Sequence, residues 1–238
     1  MDEAKRKVFV ERLSRALGRE SSMCPSYVEG FDYSNGPQAT MYQDLNRDEV
    51  IAMFKAECDK NGTKYCNTTP EKLGETLISV IEEWGNGKVI YPNAPEIEQY
   101  GLKAVFENDN NDARTFIEWN AAKGREENIA QTQDADVGIT FPLGGIAETA
   151  TVVQASDAGT GRSISLLPNT HIAILRADSI MPRMTQTMEM LTEKFKEDPA
   201  NFASNVVLIS GPSNTADIEL IRVNGAHGPL QVTYILVD

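Results

Sequence analysis

The sequence predicts an α/β fold in which helices cover both faces of a mostly parallel sheet, preceded by an N-terminal helical arm. From residue 47 onward, short apolar segments alternate with amphipathic helical segments, and this alternation is typical of parallel strands joined by crossover helices. The length of 238 residues suits one such domain with an appendage. We therefore predict an arm over residues 1–46 and a single α/β domain over residues 47–238.

The arm has two predicted parts. Residues 2–18 place Phe9, Leu13 and Leu17 on one stripe and end at Gly18, a common residue just past a helix. Residues 19–46 have neither helical nor alternating periodicity and include two prolines. The arm is therefore predicted as a helix followed by an extended connector.

The domain is predicted to contain four helices and eight strands. The helices run from Asn46 to about residue 60, from Pro70 to near Gly85, across roughly 112–122, and over 183–196. The strands lie at 63–67, 88–92, 103–107, 137–142, 149–155, 171–175, 205–210 and 231–237. The close spacing of the strands around 137–155 indicates one antiparallel pair.

Charge and hydropathy exclude several classes of partner. The formal net charge is −13, which repels nucleic acid and anionic membrane surfaces. No apolar run approaches the roughly 20 residues that span a bilayer, and acidic residues among the first twenty argue against a targeting peptide. We expect a cytoplasmic protein with no membrane insertion, in which any anionic substrate is held by local donors.

The cysteines do not form a recognisable metal motif. Cys24, Cys58 and Cys66 are odd in number and lack C-x-x-C spacing. We expect reduced thiols, no metal site and no cofactor bound by this chain.

A first glycine-rich stretch, GGIAETAT at 144–151, places Glu148 and Thr149 between glycines and an apolar strand. A carboxylate there can act as a nucleophile, a general base or an acceptor for a substrate hydroxyl. It can equally cap backbone N–H groups in a hairpin turn. Glu148 is thus a candidate catalytic residue and Thr149 a candidate substrate-binding residue.

Arg162 and His171 follow in the next segment. The Arg162 guanidinium matches a carboxylate bidentately, as a small 2-hydroxy or 2-keto acid requires; the alternative is a solvated loop arginine. His171 opens a strand, where a histidine is either a hydrogen-bonded core residue or a substrate contact.

A second glycine-rich stretch, ISGPSNTADIE at 209–219, is the sharpest local motif. Its turn at the carboxyl end of a predicted buried strand nominates substrate-binding residues, namely Gly211, Ser213, Asn214 and Thr215. Ser213 or Asn214 can also simply cap a helix whose first turn contains Asp217 and Glu219. His227, between glycines in NGAHGP, is a candidate proton carrier or donor to a substrate oxygen.

Four ordered motifs together resemble the LUD-domain family. They are ADVGITFPLGGIAETATVV, the R-S-x-S-L-L-P-x-x-H-I segment from Arg162, ISGPSNTADIE, and G-A-H-G-P. The chain departs from the family pattern at Ala150 and Ala226, where the family usually has Gly and Val, and at Asn214, where it tends to have a basic residue. The last departure removes a charge from the candidate site.

The resemblance implies a fold similar to the superfamily of ribose-phosphate isomerases and CoA transferases. It also implies a role as one non-iron–sulfur subunit of a bacterial system that oxidises L-lactate to pyruvate, with the clusters in partner proteins. The chain would then bind a small hydroxy or keto acid, or its partner subunits, and would not be redox-active alone. Two alternatives remain open: a stand-alone transferase or isomerase that uses Glu148, and a metabolite-binding scaffold without chemistry.

Overall fold

The computed structural model describes residues 3–18, 36–215 and 223–238. The chain divides into two compact units, Met1–Thr40 and Met41–Asp238. The helices are α1 (Glu3–Ala16), α2 (Pro37–Thr40), α3 (Arg47–Asn61), α4 (Leu73–Glu83), α5 (Pro95–Gln99), α6 (Leu102–Glu107), α7 (Gly124–Gln133) and α8 (Met184–Glu197). The strands are β1 (Lys64–Thr68), β2 (Gly87–Tyr91), β3 (Arg114–Glu118), β4 (Val137–Thr140), β5 (Gly144–Ile146), β6 (Thr151–Ser156), β7 (Thr170–Arg176), β8 (Ile180–Met181), β9 (Asn205–Ile209), β10 (Asn214–Thr215), β11 (Val223–Asn224) and β12 (Gln231–Val237).

The first unit contains the predicted leading helix. α1 lies within the predicted range of 2–18. The predicted extended connector is wrong over Pro37–Thr40, where the chain forms the short helix α2 because Pro37 suits the first helical turn. The rest of that connector, over 19–35, lies outside the described residues, and the predicted domain boundary at residue 46 stays a prediction.

The second unit is organised around a six-stranded sheet in the order β1-β12-β7-β4-β2-β3. Every neighbouring pair in it is parallel. Its central strands are near-continuous apolar runs, since side chains on both faces are buried. The predicted mostly parallel α/β architecture is confirmed.

The sheet is covered on both faces. Helices α4, α5 and α6 bury residues such as Leu77, Ile97 and Phe106 against one face. On the other face, Phe54 and Cys58 of α3 pack with residues from β12, β7 and β6. Helices on one face, and α3 with residues of β6 on the other, therefore protect the parallel strands from water.

A second sheet, in the order β8-β5-β6-β9, packs beside α3. Its β5–β6 hairpin is the antiparallel pair expected around 137–155. The strand predicted at 205–210 is present as β9, but it pairs antiparallel with β6 and is only half-buried. Its expected place as a buried strand ending at a carboxyl edge is therefore wrong.

Two predicted elements have the wrong type. Residues 103–107, predicted as a strand, are helical, because Leu102 and Phe106 are four residues apart and both are buried on one side of α6.

Residues 114–118, predicted as a helix, form β3 parallel to β2. The Arg114 guanidinium holds this edge strand in place through two contacts to Asp109, with its Nε 2.6 Å from Oδ2. The helix follows later, as α7.

Candidate functional site

The Glu148 carboxylate is engaged by its neighbours. Arg183 Nε donates to Oε2 at 2.8 Å, and the backbone N–H of Met184, the first residue of α8, donates to Oε1 at 3.2 Å. The side chains of Glu148 and Arg183 are each 21% exposed. This geometry is that of a carboxylate capping a helix N-terminus, which differs from the hairpin-turn cap that was the non-catalytic alternative for the residue.

Thr149 begins a short chain of hydroxyls. Its Oγ1 lies 2.6 Å from Oγ1 of Thr151, which in turn contacts Oγ of Ser210. Between the threonines, Ala150 is fully buried and has a φ of +47°. Glycine adopts this left-handed backbone more readily than alanine does.

Tyr234 joins the two glycine-rich stretches. Its buried hydroxyl lies 3.1 Å from the carbonyl oxygens of Ala150 and Ile209, and it accepts the Gly211 N–H at 3.2 Å. Burial raises the pKa of Tyr234, so the hydroxyl stays protonated and can donate. Gly211 has a φ of +75°, and a Cβ there would lie 2.6 Å from Oγ1 of Thr63. This position therefore requires glycine.

The remaining residues of the second stretch form one compact loop pair. Ser213 accepts the His227 N–H on its Oγ at 3.2 Å and the Gly225 N–H on its carbonyl at 2.8 Å. The Asn214 Nδ2 donates to the Pro212 carbonyl at 3.1 Å. The His227 side chain is exposed.

The helix predicted to begin after Ser213 or Asn214 does not begin there. Asn214 and Thr215 pair antiparallel with Asn224 and Val223, so they form a strand. The rest of the predicted helix, including Asp217 and Glu219, lies outside the described residues.

This loop pair lies at the amino edge of the parallel sheet. Ser213 N–H donates to the carbonyl of Pro229 at 2.9 Å, and Leu230 N–H donates to the carbonyl of Asn169 at 2.8 Å. Pro229 lies two residues before β12, and Asn169 directly precedes β7. The expectation that the loop lies at the carboxyl edge is wrong, because β9, which leads into it, belongs to the second sheet, where it pairs antiparallel with β6.

His171 lies inside the sheet. It is fully buried, and its Nε2 is 2.8 Å from Oγ1 of Thr140. Its Nδ1 has no hydrogen-bond partner among the described residues. Burial lowers the pKa of His171 to about 4, so the ring is neutral at pH 7.

Arg162 lies in a different part of the domain from Glu148. It opens a short 3₁₀ turn, Arg162–Ser165, and lines a cavity of about 550 Å³. Neither Glu148 nor His227 lines this cavity, which is bordered by Trp119, Ala121, Gly124, Arg125, Asn128, Ile129, Asp157, Ala158, Gly161, Arg162, Ser163, Leu166 and Leu167. The candidate residues Glu148, Arg162 and His227 therefore do not line one common cavity.

One end of the cavity, at Trp119 and Ala158, lies at the carboxyl edge of the sheet, and its other end, at Leu166, lies beside Gly228 of the amino-edge loops. The Asn93 N–H donates to Gly159 at 3.0 Å, and Trp119 Nε1 donates to Ala158 at 3.0 Å. Asn93 lies two residues after the end of β2, and Trp119 directly follows β3. Open α/β sheets bind ligands in the crevice beyond the carboxyl ends of their strands, so this position is the favourable one.

Sequence reasoning missed Trp119, Arg125 and Asn128 because it placed a helix over 112–122. The available signal was the β-branched and aromatic run Thr115-Phe116-Ile117, which favours a strand, followed by Asn120. Asn120 Oδ1 accepts the Ala122 N–H at 2.9 Å and so begins a new turn.

Within 3–18, 36–215 and 223–238, no three His, Cys, Asp or Glu side chains are arranged to hold a metal ion. Cys58 and Cys66 are free thiols, and burial raises the pKa of Cys58 to about 12. No helix in the described part of the chain is long and apolar enough to cross a bilayer.

The fold and the ordered motifs define a LUD-domain protein. The family model described as LUD domain matches residues 51–237, so the chain belongs to this family. A crystal structure of a DUF162 family protein from Deinococcus radiodurans superposes with a TM-score of 0.58 at 20% identity, covering 82% of this chain and 99% of that one. That likeness shows the shared fold.

Relatives of nearly equal length have a common name. Lactate utilization protein C of Macrococcus caseolyticus is 40% identical over 230 residues, covering 97% of this chain and 94% of that protein. Lactate utilization protein C of Bacillus subtilis is 38% identical over 231 residues, covering 97% and 95% respectively.

Proposed function

We propose that this chain is the non-iron–sulfur component of a bacterial system that oxidises L-lactate to pyruvate. The observation that carries the proposal is the near-full-length similarity to relatives named Lactate utilization protein C. The similarity spans both glycine-rich stretches and the cavity, so it is not confined to a common core. Iron–sulfur subunits are the proposed partners and hold the clusters.

The proposed acid-binding group is Arg162. It is exposed at the cavity, and neither it nor Arg125 forms an ion pair within the described ranges. An unpaired guanidinium in a protein of net charge −13 is available to a carboxylate, which it can bind through two parallel hydrogen bonds. Ser163 borders the same cavity and can meet the 2-hydroxyl or 2-keto oxygen.

The contacts of Glu148 favour this proposal over a transferase or isomerase that uses Glu148. A nucleophile or general base needs a lone pair directed at the substrate. The two oxygens of Glu148 instead receive Arg183 and the first N–H of α8. The catalytic roles of Glu148 and His227 remain predictions.

Growth of a deletion strain on L-lactate tests the proposed role in lactate oxidation. Deleting the gene from the organism that encodes it should abolish growth on L-lactate and leave growth on pyruvate intact. The unchanged chain and Arg15→Gln, an exposed α1 control, should restore growth, whereas Arg162→Gln should not. Normal growth of the deletion strain on L-lactate would refute the role, and full rescue by Arg162→Gln would refute the acid site.

A second measurement tests whether the chain is redox-active. The purified protein should not oxidise L-lactate with an added electron acceptor until the iron–sulfur subunits are supplied. Turnover by the chain alone would show that it is an independent oxidase.

A further inference from the structure

α1 has an apolar side that nothing in the described part of its own unit covers. Phe9, Leu13 and Ala16 are separated by four and three residues, so they lie along one side of the helix. Phe9 is 64% exposed and Leu13 is 48% exposed, and no residue of α1 is buried. The other helix described in this unit is α2, whose four residues include no large apolar side chain. The apolar stripe of α1 therefore needs a surface from elsewhere.

α8 has an exposed apolar stripe with the same spacing. The stripe consists of Met184, Met188, Leu191 and Phe195, at intervals of four, three and four residues. Met184 is 46% exposed, Met188 is 39% exposed and Phe195 is 50% exposed. Helices whose apolar residues recur at alternating intervals of three and four pack side by side along this seam. Both helices have 14 residues, so α1 can cover α8 along its whole length.

The two helices have opposite net charge. α1 contains five basic and two acidic side chains, which gives it a net charge of +3 and leaves −16 for the rest of a chain whose total is −13. On α8, Glu189, Glu193 and Glu197 follow one another at intervals of four residues and are exposed. Glu193 pairs with Lys196, whereas Glu189 and Glu197 form no ion pair among the described residues. Opposite charge attracts α1 to α8, and like charge makes two copies of α1 repel each other.

We propose that α1 of one copy docks on α8 of a second copy, and that the second copy returns the same contact. In each contact the apolar stripes of the two helices face each other. Arg6 and Arg12, which border the stripe of α1 on either side, lie near the carboxylates of α8. Two such contacts related by a two-fold axis close the assembly as a dimer. This dimer depends neither on the lactate role nor on the Arg162 cavity, so each can fail separately.

The molar mass of the full-length chain in solution tests the dimer. Light scattering should give about twice the 26.2 kDa of one chain. Leu13→Glu and Met188→Glu should each raise the dimer Kd at least about tenfold, since each places a charge in the apolar seam. Ser14→Glu adds the same charge to α1 away from the stripe and should keep the dimer. A monomeric mass for the unchanged chain at about 0.1 mM would overturn the proposal.

A mixture of the two seam variants tests whether the helices are exchanged between copies. Leu13→Glu keeps an intact α8, and Met188→Glu keeps an intact α1, so one molecule of each can form a heterodimer with one intact contact. Analytical ultracentrifugation should therefore detect dimer in the mixture at a concentration where each variant alone is monomeric. A mixture that stays monomeric would overturn the proposed exchange.

Further measurements separate the second copy from other partners of α1. Salt at about 1 M should weaken the dimer, because screening shortens the reach of the attraction between the helices. Circular dichroism should be the same for the unchanged chain and Leu13→Glu, so that a lost dimer does not reflect unfolding. A dimer Kd that Leu13→Glu leaves unchanged would place the interface elsewhere and overturn the proposal. A chain that is monomeric in solution and binds phosphatidylglycerol vesicles would assign α1 to an anionic lipid surface instead, which also overturns it.

Discussion

The two edges of the parallel sheet differ in how their polar groups are used. At the amino edge, Gly211, Ser213, Asn214 and the backbone of His227 bond to one another and to Tyr234. At the carboxyl edge, two arginines lack ion pairs within the described residues and the Oδ1 of Asn128 lacks a hydrogen bond there.

The comparison shows that a conspicuous motif and an available binding group are different things. The amino-edge loops need glycine and short hydroxyls to complete their own turns, and their polar groups are used up in doing so. In the carboxyl-edge cavity, by contrast, the guanidinium groups of Arg125 and Arg162 form no ion pair within the described residues. The amino edge should therefore respond to substitution mainly in stability, and the carboxyl edge mainly in binding.

The largest expected effect concerns His171, which lies just inside the amino edge. Its pKa is about 4 in the folded chain and about 6.5 when unfolded. Above pH 6.5 the ring is neutral in both states, and as pH falls toward 4 only the unfolded state gains the proton. The free energy of unfolding should drop by about 3 kcal/mol over this window from this group.

Urea denaturation between pH 7 and 4.5 measures that drop. His171→Gln should be less stable at pH 7 and should lose this part of the pH dependence. The other histidine in the sequence provides the control, because His227 is exposed and His227→Gln should keep the steep dependence. Parallel pH profiles for the unchanged chain and His171→Gln would contradict the assignment.

Tyr234→Phe should show that the amino edge is a structural junction. The change leaves the Gly211 N–H and two carbonyls without the hydroxyl, and should lower the free energy of unfolding by about 1–3 kcal/mol. Tyr91→Phe, a half-buried control on β2, should stay within about 0.5 kcal/mol. L-lactate binding should survive in both variants, and its loss in Tyr234→Phe alone would show that the two edges are coupled.

Glu148→Gln should have a smaller effect. Losing the partly exposed ion pair with Arg183 and weakening the cap on α8 should cost about 1 kcal/mol, measured by thermal or urea unfolding. Growth on L-lactate should be retained. A folded Glu148→Gln protein that fails to support growth would instead favour the enzyme alternative.

The smallest stability effect is expected at the cavity. Arg125→Gln and Arg162→Gln should each change the free energy of unfolding by less than about 0.5 kcal/mol, since both side chains are exposed and unpaired within the described residues. A larger loss in urea unfolding would mean that these arginines stabilise the fold, and would weaken the contrast between the two edges.

Much of the fold could be predicted because local pattern and burial agree. The start of α3 is one example: Asn46 and Glu49 form a reciprocal capping box that is legible in the sequence. The failures at 103–107 and 114–118 occurred where short apolar segments fit either period. There, burial of Leu102 with Phe106 and pairing of β3 with β2 decided the outcome.

The candidate site, like the fold, has one part that the sequence predicts and another that depends on tertiary structure. Sequence identified Arg162 through its residue type and its glycine neighbours, but Arg125, Asn128 and Trp119 join it only because α7 and the end of β3 meet the 157–163 segment in space. Sequence also singled out Gly211 and Ser213, and only the structure placed them at the amino edge.

The sequence alone determined the α/β class, most element positions and the family, since these depend on periodicity, capping residues and the order of motifs along the chain. Tertiary structure decided which sheet β9 joins, which edge each loop occupies and which polar groups are left without partners. These features depend on strand pairing and hydrogen bonding between segments far apart in the chain, such as Tyr234 with Ala150, and no local pattern records them.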